Sequence, residues 1–135
     1  MAGEMSTVGA GKALDAATGR ATQTARTMYL ALLTTAPTDA STMATMVEVT
    51  AAGYARQTVA FTAPSGDPQV TSNTALLTFG PFTADPPNVT HAALVSAATG
   101  TVGDLTYWWT WDVARDAATN DSLTVAIGAL VAQLD

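Results

Sequence analysis

Leu105–Val113 (LTYWWTWDV) alternates more clearly than any other stretch of this chain. Leu105, Tyr107, Trp109, Trp111 and Val113 fall on one side of an extended backbone, and Thr106, Trp108, Thr110 and Asp112 on the other. A strand brings every second side chain to one face, whereas a helix scatters such residues around its axis. The segment is therefore predicted to be a β-strand with its large aromatic residues facing a core.

The rest of the chain from Thr27 onward follows the same grammar. Thr27–Thr35 (TMYLALLTT) is apolar on both faces, as expected of a strand covered on both sides. Ala55–Ala63, Thr74–Gly80, Val89–Ser96 and Ser122–Ile127 are further predicted strands. In Val89–Ser96 the alternation puts Val89, His91, Ala93 and Val95 on one face. At Gly128 the apolar parity slips to Leu130, Ala132 and Leu134, which a β-bulge at glycine accommodates. Pro and Gly clusters at 36–39, 64–68 and 84–88 break the strands. Residues 40–49 fit either a helical turn or an irregular loop. Residues 1–11 are small and polar and read as flexible, and Lys12–Thr18 is a short helix closed by Gly19. Eight short strands with regular turns and little helix predict an all-β, single-domain antiparallel β-sandwich, jelly-roll-like, with a short N-terminal helix. The expected division is an arm over residues 1–26 and a sandwich over residues 27–135.

Composition narrows what such a sandwich can do. Charged residues make up 12% of the chain, about half the share usual for soluble domains. Either much of the surface faces other protein, where charge is depleted, or a Thr/Ala-rich bias reflects a GC-rich genome. The net charge is −6, and the five basic residues (Lys12, Arg20, Arg26, Arg56, Arg115) form no stripe. Nucleic acid and anionic membrane surfaces are therefore unexpected partners. No apolar run reaches the roughly 18 residues of a membrane span, and the first residues lack the apolar core of a secretory signal. With no cysteine, disulfides and thiolate metal sites are excluded.

Catalytic constellations are equally thin. His91 is the only imidazole, and metal sites built on histidine need further ligands gathered with it. Asp85 and Asp104 lie in separate loops, so His91 is expected to be a structural strand residue. Asp112, Asp116 and Asp121 stand near Trp108 in sequence, a combination that glycosidase clefts use, but aspartates at turns ordinarily bond nearby backbone. Lys12 follows Gly9-Ala10-Gly11 without the spacing of a phosphate loop, and no serine sits in a nucleophile elbow. No catalytic residue, cofactor or metal is expected. Four residues stand out for contact instead. Met43 and Met46 suit an adaptable docking loop. Trp108, with Asp112 nearby, either offers a stacking platform for a host glycan or a protein, or packs into the second face of the sandwich.

Several ordered phrases resemble a known family: MYLALLTTAPTD (28–39), EVTAAGYARQTVAFTAP (48–64), SNTALLTF (72–79), VTHAALVSAATG (89–100) and the closing Ile127–Leu134. They resemble small structural proteins of tailed bacteriophages, tail-fibre-like or minor virion components, over residues 12–135. The Met43/Met46 segment departs from the Gly-rich linker of that pattern. The resemblance implies a non-enzymatic virion component assembled in the bacterial cytoplasm. The favoured expectation is a capsid-surface decoration or head-fibre subunit, docking on major capsid or tail proteins and on copies of itself, with a trimer in view. A tail or fibre-base protein, or a carbohydrate-binding module on the host surface, is the alternative. The resemblance also gives Arg56 a carboxylate partner and Asn73 a turn-capping role.

Overall fold

Leu30, Ala31, Leu32 and Leu33 are all fully buried. Four consecutive buried residues on an extended strand require cover on both faces, and the architecture follows from that demand. The computed structural model describes residues 1–134. Its elements are β1 (Ala2–Met5), α1 (Thr7–Ala17), β2 (Met28–Leu33), β3 (Gln57–Val59), β4 (Gln69–Ser72), β5 (Leu77–Phe79), β6 (Val89–Val95), β7 (Leu105–Arg115), β8 (Leu123–Val125) and β9 (Val131–Leu134). Five strands form an antiparallel sheet in the order β1-β7-β6-β2-β3.

The second layer is built from the antiparallel pairs β4–β9 and β5–β8. The fold is an all-β antiparallel sandwich with one short helix, as the strand pattern predicted. The main core lies between the layers, where Leu30, Leu32, Tyr107 and Trp109 meet Phe79, Val125 and Leu130. The opposite face of the large sheet carries Ala31, Leu33, Ala93, Val95, Leu105 and Trp108, and Met43 covers it.

The parity slip at Gly128 is a register shift in the second layer. Between the paired segments lie residues 73–76 on one strand and 126–130 on the other, so one side holds an extra residue. Gly128 takes a φ of 76° there, a left-handed conformation that glycine adopts at little cost. Asn73, 1% exposed, holds the irregularity from inside. Its amide nitrogen donates to the Ala75 and Ala126 carbonyls at 2.9 Å each, and its side-chain oxygen accepts from the Leu130 amide at 2.9 Å. Its backbone carbonyl accepts from Gly128. The turn-capping role is thus that of a buried bracket across two strands.

Several expectations are corrected. Residues 2–5 are a strand on the edge of the main sheet, paired with Tyr107–Thr110 of β7, and not a flexible arm. Gly3 belongs there because a Cβ would lie 2.5 Å from the rings of both Trp109 and Tyr107. The helix begins at Thr7, five residues before Lys12. Ser6 caps it, accepting from the Gly9 amide at 3.0 Å and donating to the Leu105 carbonyl at 2.6 Å. A Cβ on Gly9 would lie 2.0 Å from the Thr106 carbonyl oxygen, so glycine lets the helix press onto β7. Strand β4 falls between two predicted elements. Register shifts in the β6–β7 ladder, between Val89 and His91 and between Leu94 and Val95, swap faces as a bulge must. Val89 consequently joins the main core while Ala93 and Val95 face the other way, and Leu105 parts from Tyr107. Val113 and Ile127 are exposed, beyond the reach of the core.

Replacing Asn73 by Ala strands a buried amide and two carbonyls. The expected loss is about 3 kcal/mol of unfolding free energy, read by urea denaturation followed by tryptophan fluorescence.

Candidate functional site

The residues singled out from sequence do not converge. Met43 is 2% exposed, and Met46 is half-buried against the same cluster. This pair closes the second face of the sheet and presents no docking loop. Trp108 is 9% exposed and packs in that cluster, with the His91 ring 5.8 Å away and tilted by 55°. It has no open ring face for a sugar. Of the two readings of Trp108, burial under a loop is the one observed. Its indole N–H and that of Trp111 are buried without a hydrogen-bond partner among the described residues. His91 lies 2.7 Å from the Thr90 hydroxyl through Nδ1, and partial burial lowers its pKa. It is a strand residue, as expected.

The carboxylates are mostly spent on local structure. Asp85 accepts from the Thr119 amide at 2.6 Å and hydroxyl at 2.7 Å, and these bonds hold it below the usual carboxylate range. Asp121 accepts from the Ala118 amide. Asp112 stands apart: its side chain is 80% exposed, 4.0 Å from the Met1 ammonium. About four residues of strand rise, roughly 13 Å, separate it from Trp108. No group of three His, Cys, Asp or Glu able to hold a metal occurs among the described residues.

The partner of Arg56 is Glu48. The guanidinium grips the carboxylate through Nε at 2.7 Å and Nη2 at 2.6 Å, and also donates to the Ala97 and Gly100 carbonyls. The Tyr54 hydroxyl donates to the same carboxylate at 2.6 Å and accepts from the Leu32 amide at 3.0 Å. Burial, then the bond to Glu48, pushes the Tyr54 phenol far above its ordinary pKa, and the bond to Glu48 raises Arg56. This closed network rivets the 48–56 loop to β2 and to the turn before β7, and it leaves no group free for chemistry.

Two surfaces remain with unused capacity, and sequence reasoning singled out neither as such. The first is the far end of β7. Asp112, Val113, Ala114 and Arg115 are exposed, and pairing with β1 stops at Thr110. In the ladder with β6, Val89 partners Arg115 and His91 partners Thr110, so β7 bulges between them; Trp111 stays in the core, and Asp112, Val113 and Ala114 are left exposed. The Arg115 guanidinium sits over the Trp111 ring, 5.7 Å from its centre.

The second is a groove of about 490 Å³ where α1 meets the start of β7. Met5, Ala16, Met28, Phe61, Leu94 and Tyr107 supply its apolar lining, and Lys12 and Arg26 also line it. Both cations reach one carboxylate, Asp104, at 3.3 Å and 2.8 Å. The Arg26 hydrogen bond, assisted by Lys12 and opposed by burial, lowers the Asp104 pKa. The groove was illegible because its walls come from positions as distant as Met5 and Ala132. The one available signal was Ser6, a capping residue ahead of a helix that starts earlier than the apolar content suggests.

A family model described as podophage GP4 fiber I protein gp80 matches residues 4–133. The chain belongs to this phage fibre-protein family. No curated protein matches the sequence. The match takes in the end of β1 and all of α1 as well as the sandwich, so the N-terminal helix is part of the family unit. Its role is that of a structural virion component.

Two outcomes follow for the fibre protein. Trp108→Ala is expected to cost about 3–5 kcal/mol of stability, as large aromatic truncations in cores do, seen as an earlier urea midpoint. Asp104 has a folded pKa below its ordinary 3.8. Its stabilisation is therefore present above that value and is lost as pH falls through the folded pKa. Asp104→Asn should remove about 1 kcal/mol or less at pH 7 and flatten the fall in melting temperature between pH 4.5 and pH 3.

Proposed function

We propose that this chain is a subunit of the virion fibre, holding its place by protein–protein contacts with the particle and with copies of itself. The observation that carries the reading is the family match over residues 4–133, which spans nearly all of the sandwich and supports it as the unit of the fibre. The low charge of the chain is consistent with a surface that faces protein. The fibre description of the family supports a structural fibre role; the reading adopts a fibre position in preference to a capsid-surface decoration. The physical task of such a subunit is to present a rigid, repeatable shape, and the riveted loops and two-sided core supply one. The reading requires no bond-making step.

The test is made on purified particles. Mass spectrometry of the virion should recover this chain. Antibody raised against the exposed 112–116 and 20–26 segments, seen by gold labelling, should decorate projecting fibres. Absence from particles, or an even coating of the capsid faces, overturns the reading.

A further inference from the structure

The two bare surfaces lie at opposite ends of one strand. β7 runs eleven residues from Leu105 to Arg115, about 30 Å or slightly more at the rise of a β-strand. Thr106 and Tyr107, at its start, line the apolar groove under α1. Asp112–Arg115, at its end, project beyond the backbone pairing with β1, with the Met1 ammonium 4.0 Å from Asp112.

Their chemistry is complementary. The projecting end offers Val113, 66% exposed, flanked by Asp112 and followed by Asp116. Arg115 stands between Val113 and Asp116 with its guanidinium over the Trp111 ring, and the Met1 ammonium is 4.0 Å from Asp112. The knob is thus apolar at Val113, with two carboxylates to one guanidinium around it. The groove offers an apolar floor, and two of the five basic residues in the chain stand on it. Lys12 and Arg26 share the single Asp104 carboxylate, so one positive charge is left over. On a molecule of net charge −6, that local excess of positive charge is an exception. It borders an open groove with a largely apolar lining. We propose that the β7 end of one copy seats in the α1 groove of the next, with Val113 in the apolar floor and Asp112 and Asp116 facing Lys12 and Arg26.

The contact is head-to-tail, because knob and hole are different patches of one surface. Such an interface closes into a ring if the rotation between copies divides a full turn, and otherwise extends as a filament. Either outcome suits a fibre subunit, and the inference rests on that reading for its biological sense. It is nevertheless tested on the purified chain alone, so its failure leaves the virion assay untouched.

The absence of native cysteine allows a direct test. Val113→Cys and Ala16→Cys are made in separate copies of the full chain and mixed under mild oxidation. Disulfide-linked dimers should form in the mixture at least tenfold faster than in either variant alone. In sedimentation velocity across a range of concentrations, the parent chain should show species larger than the monomer. Val113→Asp should shift them to monomer while the melting temperature stays within a few degrees. Lys12→Glu and Asp116→Lys should each weaken association, and the double variant should recover it, a rescue that a merely structural role for Lys12 would not produce. A parent chain that stays monomeric throughout overturns the proposal. So does cross-linking that is fastest between two copies of Val113→Cys, which would signal a symmetric contact.

Discussion

Everything in this molecule answers to the exclusion of water from both faces of β2. Leu30 and Leu32 look into the space between the layers, while Ala31 and Leu33 look the other way. At roughly 25 cal/mol per Å² of apolar surface, each such side chain contributes one to three kcal/mol only if its cover stays in place. The second layer, β4–β9 and β5–β8, covers one side. The other side has no second sheet, so a loop does the work: Met43 and Met46 lie over Ala31, Leu33 and Trp108. An irregular segment is a poor lid unless something pins it. The Glu48 carboxylate does so through Arg56 and Tyr54, and the Tyr54 hydroxyl bonds the amide of Leu32 itself.

Three polar latches therefore specify what apolar burial leaves open. Asn73 fixes where the second layer changes register. Ser6 joins the cap of α1 to the Leu105 carbonyl. Arg56 ties two loops to one carboxylate. Each is buried or nearly so, and each meets its partners in full, which is the condition under which a buried polar group supports a fold instead of weakening it. The same condition removes them as candidates for catalysis, because their donors and acceptors are already engaged.

The sequence announced the strands well and their connections poorly. Alternation in Leu105–Val113 and the double-faced run at Thr27–Thr35 are local signals, and both became strands. The slip at Gly128 was legible because glycine and a parity change coincide within a few residues. The face swaps around Val89 and Leu105 were not, since the register of β6 against β7 depends on a partner that alternation cannot see. Met43 misled because a large apolar residue outside a regular pattern looks available until its place under a loop is known, and the two readings of Trp108 stayed open for the same lack of a visible cover. The N-terminal strand and the first turn of α1 were hidden by Gly3 and Gly9, residues that weaken local propensity but are there because rings and backbone come too close for a side chain. The groove arises from pieces far apart in the chain, so no window of sequence contains it; the projecting β7 end is contiguous, but its exposure depends on where β1 and β6 stop pairing with it.

The aromatic pair at the heart of β7 has an effect at the rim. The Trp109 indole N–H donates to the Val131 carbonyl at 2.8 Å, and the Tyr107 hydroxyl accepts from the Gln133 amide at 3.4 Å. Residues two apart on a strand point their backbone groups the same way, so these bonds fall on the side of β9 turned away from β4. Side chains thus occupy the amide row that a stray strand would otherwise zip onto. That edge of β9 is therefore closed from within, and a strand from another chain would have to displace two aromatic side chains to pair there.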